Sequence, residues 1–267
     1  MSDALAADRP SSYQRLLEHL QYLELKTAAE HLSAELDRGI QQKLSATQVL
    51  ERLLELEVEA TRARRRRSRM RDARLPAGKA FANFDFDFQP SVDRHLISEL
   101  STLRFLEERR NVILLGPPGV GKSHLAIALA LEAIDAGYRA HFTSAADLVA
   151  SLQQAHLDGV LHRVQRNYFV GPPLLVIDEL GYLPMDQASA NWMFHVVTKR
   201  YEKGSIILTS NRGFGDWAQI FGEPVVASAI VDRLLHNATV INIRGASYRM
   251  RGYQADDRVK GGDAILR

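Results

Sequence analysis

One short segment of this chain has the residue types and spacing of a phosphate-binding loop. It consists of Gly116, Pro117, Pro118, Gly119, Val120, Gly121, Lys122 and Ser123. Glycines let the backbone turn tightly, so that consecutive N–H groups point at an anion. The lysine can then reach the β- and γ-phosphates of a nucleotide, and the serine hydroxyl can bind Mg²⁺. The segment predicts ATP binding with Mg²⁺, and we count the following residue, His124, among the nucleotide contacts.

A pair of carboxylates ends an apolar run further along the chain. Leu174 to Ile177 is followed by Asp178 and Glu179. A buried parallel strand would deliver both side chains to the carboxyl edge of a sheet, where ligands bind. There Asp178 can hold Mg²⁺, and Glu179 can act as the base for the water that attacks the γ-phosphate. A strand end that merely faces solvent is the alternative, but the preceding phosphate-binding loop favours the catalytic interpretation.

Two further side chains are candidates for sensing or stabilising the γ-phosphate. Asn211 follows an apolar run that ends Thr209-Ser210 and could hydrogen-bond both the phosphate and the attacking water. The alternative is that the triplet only opens a turn. Arg233 lies among apolar residues on a predicted helix and could stabilise the transition state of a neighbouring subunit. An ordinary ion pair explains Arg233 equally well.

Eight arginines lie between residues 62 and 74 with a single acidic residue, Asp72, among them. They are Arg62, Arg64, Arg65, Arg66, Arg67, Arg69, Arg71 and Arg74. This local excess of positive charge far exceeds the net charge of +2 of the whole chain. On a helix the arginines would not form one stripe. A solvated helix face is one interpretation, but the density and single sign favour salt-dependent binding to a phosphate backbone.

Composition limits the classes of protein to consider. The 267 residues, 46% of them hydrophobic, suffice for one large domain and a smaller piece. The absence of cysteine excludes disulfides, thiolate metal sites and cysteine nucleophiles, and suits a reducing compartment. The start of the sequence lacks the regions of a signal peptide, and no apolar run could span a bilayer. We therefore expect a cytoplasmic protein with no membrane partner.

The pattern of apolar residues predicts how these segments are positioned. Residues 11–74 read as helices only, with a capping box at Ser45 to Gln48. From about residue 101, strand and helix patterns alternate, which indicates a parallel sheet flanked by helices. Predicted strands are 111–115, 139–143, 173–178, 205–209 and 239–243. Predicted helices are 122–136, 145–168 with a break near Asp158-Gly159, 187–202 and 224–236.

In their order along the chain, these motifs resemble those of AAA+ ATPases of the initiator and helicase-loader clade. The chain is most similar to the IstB-like family of helper ATPases of insertion-sequence transposition, which is related to the DnaC loaders. The resemblance covers nearly the whole chain. Its most specific segments are Leu25 to Ala29, Arg71 to Pro76, Ile177 to Tyr182 and Ser210 to Arg212.

The resemblance implies a fold and an organisation. The fold would be a three-layer α/β/α P-loop sandwich with a parallel five-stranded sheet in the order 5-1-4-3-2, preceded by a small all-α domain. We divide the chain into a helical DNA- or partner-binding domain (1–75), a linker and lead-in (76–100), the ATPase domain (101–253) and a tail (254–267). Little sequence follows residue 250, so a full lid domain is not expected, and a second sensor at Arg249 or Arg251 is in doubt.

The resemblance also implies an activity. ATP would bind between subunits of an ATP-dependent oligomer, with Arg233 acting on the neighbour's nucleotide, and the helix at 145–168 would line a DNA-facing channel. The oligomer would bind and bend duplex DNA with little sequence preference and present it to the transposase of the same element, which would stimulate hydrolysis.

Three alternatives remain open from the sequence. A DnaC-like loader in DNA replication would use its N-terminal part to dock on a helicase, whereas the arginines here suggest DNA. A P-loop kinase would need an acceptor pocket and a lid, and it leaves the arginines and Asn211 unexplained. A binding module could use ATP only as an assembly switch.

Overall fold

A computed structural model describes residues 11–165, 168, 171–182 and 184–251. The predicted tail at 254–267 lies outside these residues, as do the last positions of the predicted helix at 145–168, apart from Tyr168. The described chain divides into two compact units, one ending at Ser68 and the other beginning at Arg69. The division falls within the arginine cluster, whereas the sequence placed a boundary at residue 75.

The first unit is helical, as predicted. It contains α1 (Ser12–Tyr22), α2 (Lys26–Gln42) and most of α3 (Ala46–Ala73). The predicted capping box forms, because Ser45 Oγ accepts from Gln48 N–H while Gln48 Oε1 accepts from Ser45 N–H. Its core consists of the buried residues Leu20, Ala28, Leu32 and Leu53.

The second unit is a parallel sheet flanked by helices. Its strands are β1 (Asn111–Leu115), β2 (Ala140–Ser144), β3 (Leu174–Leu180), β4 (Ser205–Ser210) and β5 (Ala238–Asn242). Its helices are α4 (Arg94–Ser101), α5 (Arg104–Glu107), α6 (Lys122–Asp135), α7 (Ala145–Leu157), α8 (Leu161–Gln165), α9 (Gln187–Arg200), α10 (Trp217–Phe221) and α11 (Pro224–Leu235).

The strand order β2-β3-β4-β1-β5 is the predicted order read from the opposite edge, which confirms the fold class. Every strand predicted from the sequence is present within a residue or two, and the break after α7 falls at Asp158-Gly159. Four of the five strands are largely buried, as expected when helices cover both faces of a parallel sheet. The register of β3 against β4 is irregular between Ile177 and Leu180. An irregularity of this kind re-aims side chains, here those of Asp178 and Glu179.

The segment at 76–100 is more structured than a linker. It contains a short 3₁₀ helix (Phe81–Asn83), a turn at residues 86–88 and α4. Val92, Ile97 and Leu100 are buried in the core shared with β1 and α6. These residues therefore pack as part of the second unit. Among the described helices, none is long and apolar enough to cross a membrane.

A buried carboxylate organises the first unit. Glu57 on α3 accepts hydrogen bonds from the Ala28 N–H at 3.0 Å, from Thr61 and from Arg64 at 2.7 Å. Burial alone would raise the pKa of Glu57, but these hydrogen bonds outweigh it and lower the pKa to about 2. Because the folded pKa lies below the ordinary value of 4.5, the ionised carboxylate stabilises the fold above that value and loses this effect as the pH falls toward 2.

We therefore expect Glu57→Gln to lower the free energy of unfolding of the full chain by about 1.5–3 kcal/mol at pH 7, the range for hydrogen bonds to a charged group. The difference from the unaltered chain should shrink below pH 4.5. Urea unfolding followed by circular dichroism measures both, with the exposed Glu59→Gln as the matched control. A pH-independent difference would contradict the assigned role of the charge.

Candidate nucleotide-binding site

The phosphate-binding loop connects β1 to α6, as the sequence predicted. Gly116, Gly119 and Gly121 have φ angles of 147°, 82° and 99°, which residues with a side chain rarely adopt. A Cβ at Gly116 would lie 2.2 Å from Ile243 O, and one at Gly119 would lie 2.0 Å from Ser247 Oγ. The loop thus needs glycine both for its backbone conformation and for the close approach of the chain that follows β5.

Lys122 begins α6 and is buried. Its Nζ donates to Gly116 O and Pro117 O, both at 2.8 Å. Burial lowers the pKa of Lys122, the negative charge of Asp178 opposes that effect, and Arg249 adds to it. A buried cation held inside the loop favours an anionic ligand, because such a ligand would offset the cost of burying the charge.

Two hydroxyl groups meet the carboxylate of Asp178. Ser123 Oγ donates to Asp178 Oδ1 at 2.8 Å, and Thr209 Oγ1 donates to the same oxygen at 2.5 Å. Asp178 and Thr209 lie on the neighbouring strands β3 and β4, and both are buried. The predicted metal ligands Ser123 and Asp178 are therefore in direct contact. Their oxygen atoms are the donors that Mg²⁺ prefers, so the residues present fit this ion.

Glu179 is held in a strained conformation beside Asp178. Its φ is 63°, in the left-handed region, and its N–H donates to Thr209 Oγ1 at 3.0 Å. One hydroxyl therefore fixes both acidic residues, donating to Asp178 and accepting from Glu179. The side chain of Glu179 is exposed, unlike that of Asp178. Strain of this kind, which persists only where neighbours enforce it, indicates a functional position.

Asn211 follows β4 and carries a buried oxygen, Oδ1, without a hydrogen-bond partner in the described chain. The site is crowded, since a Cβ at Gly181 would lie 3.4 Å from this atom. Buried polar atoms rarely lack a partner, so a water or a ligand is the expected occupant. This agrees with the predicted role of Asn211 but does not test it.

The segment before α4 forms one wall of the loop. A Cβ at Gly121 would lie 2.5 Å from the Phe84 ring, and that ring contacts His124 edge to face at 5.3 Å. His124 Nε2 donates to Ala80 O at 2.8 Å, so His124 anchors this segment. The resulting cavity is lined by Lys79, Asn83, Phe84, Asp85, Gln89, Gly119, Val120, Gly121, Lys122, Ser123, His124, Tyr182, Tyr248 and Arg249.

The two arginines considered as a second sensor differ in their surroundings. Arg249 lines the same cavity as Lys122. Arg251 instead forms an ion pair with Asp85 at 2.8 Å and lies over the Phe88 ring. Of the two, only Arg249 is placed to meet a ligand in the cavity.

Arg233 lies near the amino ends of the strands, whereas the phosphate-binding loop lies at their carboxyl ends. Its guanidinium donates to Ala229 O at 2.9 Å and lies 5.0 Å from the centre of the Phe194 ring. It lines a cavity with Asn111, which begins β1, and with Asn237, which precedes β5. Because the loop follows the other end of β1, the length of that strand separates Arg233 from the phosphate-binding loop.

The arginine cluster is helical through Arg71 and divides between the two units. Arg64 forms an ion pair with Glu57. Arg69, Arg71 and Arg74 belong to the second unit and line a cavity there. The side chains of the cluster are exposed except for that of Arg69, which is half-buried.

The sequence predicts the acidic pair, the loop and a lead-in at 76–100, but it does not predict the hydrogen bonds of Thr209 or the contact of residues 79–89 with the loop. The hydroxyl of Thr209 lies on β4, and its contact with the acidic pair on β3 could be predicted only if the two strands were known to be neighbours. The wall formed by residues 79–89 was interpreted as a lead-in, and its contact with Gly121 has no signature in the spacing.

Comparison with known proteins agrees with this geometry. The family described as IstB-like ATP binding protein matches residues 16–255. A Geobacillus stearothermophilus protein named as an ATP-binding protein of insertion sequence IS5376 is 44% identical over 238 residues, which are 89% of this chain and 94% of that protein. Its counterpart for insertion sequence IS21 from Pseudomonas aeruginosa is 45% identical over 235 residues, covering 88% and 85% of the two chains.

Solved structures resemble this chain in fold. The AMPPCP-bound DnaA from Aquifex aeolicus has a TM-score of 0.54 and 21% identity, covering 73% of this chain and 58% of that one. A structure of DnaI has a TM-score of 0.52 and 21% identity, covering 65% and 93%. At this identity the likeness shows the fold alone.

We expect Thr209→Val to reduce the kcat of ATP hydrolysis by about 10- to 100-fold, since an unsatisfied buried polar group costs about 1–3 kcal/mol and each 1.4 kcal/mol is tenfold in rate. KM for ATP should change little, and Thr209→Ser should recover most of the rate. The matched control is Thr198→Val, because the buried hydroxyl of Thr198 has no partner among the described residues. Equal losses at both positions would reject a positioning role for Thr209.

Proposed function

The chain belongs to the IstB-like ATP-binding protein family and is an AAA+ ATPase, and on that premise we propose that it binds duplex DNA and assists the transposase of an insertion sequence. The observation that carries the proposal is the density and single sign of the arginine cluster, whose side chains are exposed except for that of Arg69, which is half-buried. Exposed guanidinium groups at this density can contact the phosphates of a DNA backbone. The names of the relatives support a place in insertion-sequence transposition.

In the proposed site, the loop from Gly116 to Ser123 would bind the phosphates of ATP through backbone N–H groups and Lys122. Mg²⁺ held by Ser123 and Asp178 would neutralise charge on the phosphate oxygens. Glu179 would accept a proton from the attacking water as that water bonds to the γ-phosphorus and the bond to the ADP oxygen breaks. The free oxygen of Asn211 suits it to orient the water.

The proposal includes self-association. Arg233 lies at the strand ends opposite the phosphate-binding loop, so the transition state that it can stabilise is that of another subunit. Arg249 could contact phosphate within its own subunit, because it lines the cavity that holds Lys122. ATP would then bind between subunits and link its own hydrolysis to the assembly of the oligomer on DNA.

If the arginines bind DNA, the affinity for DNA should depend strongly on the salt concentration. Contacts to backbone phosphates release counterions, and each contact steepens the fall of log affinity with log salt by about 0.9. Such contacts do not depend on base sequence, so the protein would accept many targets. Any preference for a particular DNA target would then come from the transposase rather than from the arginines.

The first test uses Glu179→Gln in the full chain with ATP and duplex DNA. Removing the base should lower ATP turnover by at least about 100-fold, because general bases contribute 10²–10⁴-fold. ATP-dependent assembly on DNA and retention of the transposase, measured by co-sedimentation, should persist or increase. The exposed Glu132→Gln is the matched control. Retention of a replicative helicase in place of the transposase would favour the loader function, and no DNA binding would reject the proposal.

The second test mixes Arg233→Ala subunits with Lys122→Ala subunits. Each variant alone should lose most ATPase activity, since an arginine acting on a neighbour contributes about 10³–10⁵ in rate. A random mixture pairs an intact loop with an intact arginine at about a quarter of its interfaces, so activity should return in part. No recovery at any mixing ratio would contradict a site shared between subunits.

A further inference from the structure

A basic cavity separate from the nucleotide site lies in the second unit, near the amino ends of β2 and β3. Its volume is about 630 Å³, and its lining includes the end of α3, the start of β2 and the residues that precede β3. The side chains that carry charge or can gain it are Arg69, Arg71, Asp72, Arg74, Arg139 and His141. None of these residues takes part in the proposed hydrolysis.

The charge of this cavity is strongly positive. Four arginines line it together with one carboxylate, that of Asp72, which lies 3.8 Å from Arg71 Nε. Arg139 contributes from outside the arginine cluster; it is exposed and donates one hydrogen bond to Gly171 O at 2.6 Å. A guanidinium has five N–H donors in a fork that matches phosphate, so most of its donors remain for a ligand.

Two buried polar atoms around the cavity lack hydrogen-bond partners among the described residues. They are Arg69 Nε and His141 Nε2. His141 is 9% exposed, and its Nδ1 lies 3.2 Å from Asp72 O, which can only accept, so Nδ1 carries the hydrogen. Arg69 Nε–H therefore requires an acceptor and His141 Nε2 a donor. An anion that arrives with a bridging water satisfies both atoms.

From this juxtaposition we propose that Arg69, Arg71, Arg74 and Arg139 form a binding site for consecutive phosphates of a duplex DNA backbone. The site rests on the proposed DNA-binding function and deepens it, since it fixes part of the DNA to the ATPase unit itself. Its volume is more than one phosphate group needs, and the exposed arginines at its mouth suit an extended polyanion. An acidic protein surface is the competing occupant.

The experiment measures the affinity of the full chain for a mixed-sequence duplex by fluorescence anisotropy between 50 and about 200 mM salt, the range over which phosphate contacts are resolved. The variant is Arg139→Ala, which removes an exposed side chain that the sequence did not connect with DNA. The matched control is Arg104→Ala, whose side chain is 76% exposed on the same unit. ATPase activity without DNA checks that both variants fold.

We expect Arg139→Ala to weaken binding at the lower salt concentrations and to flatten the slope of log affinity against log salt by about one, the value for one lost phosphate contact. Arg104→Ala should leave the slope unchanged. An unchanged slope for Arg139→Ala, with DNA binding intact, overturns this site while leaving the proposed function in place. Loss of transposase retention with unchanged DNA affinity assigns the cavity to an acidic protein surface. A complete lack of DNA binding by the unaltered chain overturns both proposals.

Discussion

The hydroxyl of Thr209 is the point on which the nucleotide site depends. It donates to Asp178 and accepts from the N–H of Glu179, so one oxygen on β4 sets the position of both acidic residues at the end of β3. The irregular register of the two strands at this place, together with the left-handed backbone of Glu179, turns one carboxylate inward and leaves the other exposed. The buried group then suits a metal ligand and the exposed one a base.

The parallel sheet places the nucleotide site at the carboxyl ends of its strands and the other two basic sites at their amino ends. The acidic pair lies near the carboxyl end of β3, and the phosphate-binding loop and Asn211 follow the carboxyl ends of β1 and β4. At these ends the crossovers of a parallel sheet leave room for a ligand. Arg233 and the cavity around Arg139 lie at the amino ends. On the proposed function, an arginine at the amino ends of the strands would serve another subunit, and a DNA contact there would be separated from the phosphates of ATP by the length of the sheet. Communication between nucleotide and DNA would therefore pass through the strands or through the neighbouring subunit.

Much of this organisation could be predicted from sequence, because the spacing of apolar residues fixes buried strands and the phosphate-binding loop has a strict pattern. The strand order came from the family resemblance and is confirmed. The structure adds what depends on contacts distant in the chain. His124 holds the segment of Phe84 against the loop through Ala80, Glu57 on α3 accepts from the N–H of Ala28 on α2, and Arg139 lines a cavity with the end of the arginine cluster. No local pattern encodes these pairs, since their members lie on different elements.

The central claim is that the state of the nucleotide controls how the protein holds DNA. The most direct measurement is the affinity of the full chain for duplex DNA with a non-hydrolysable ATP analogue and with ADP, at the same salt concentration. Coupling between two sites commonly amounts to about 5- to 150-fold, so we predict binding tighter by a factor in this range with the ATP analogue. In Lys122→Ala the difference should disappear. Equal affinity for DNA with both nucleotides would contradict the account.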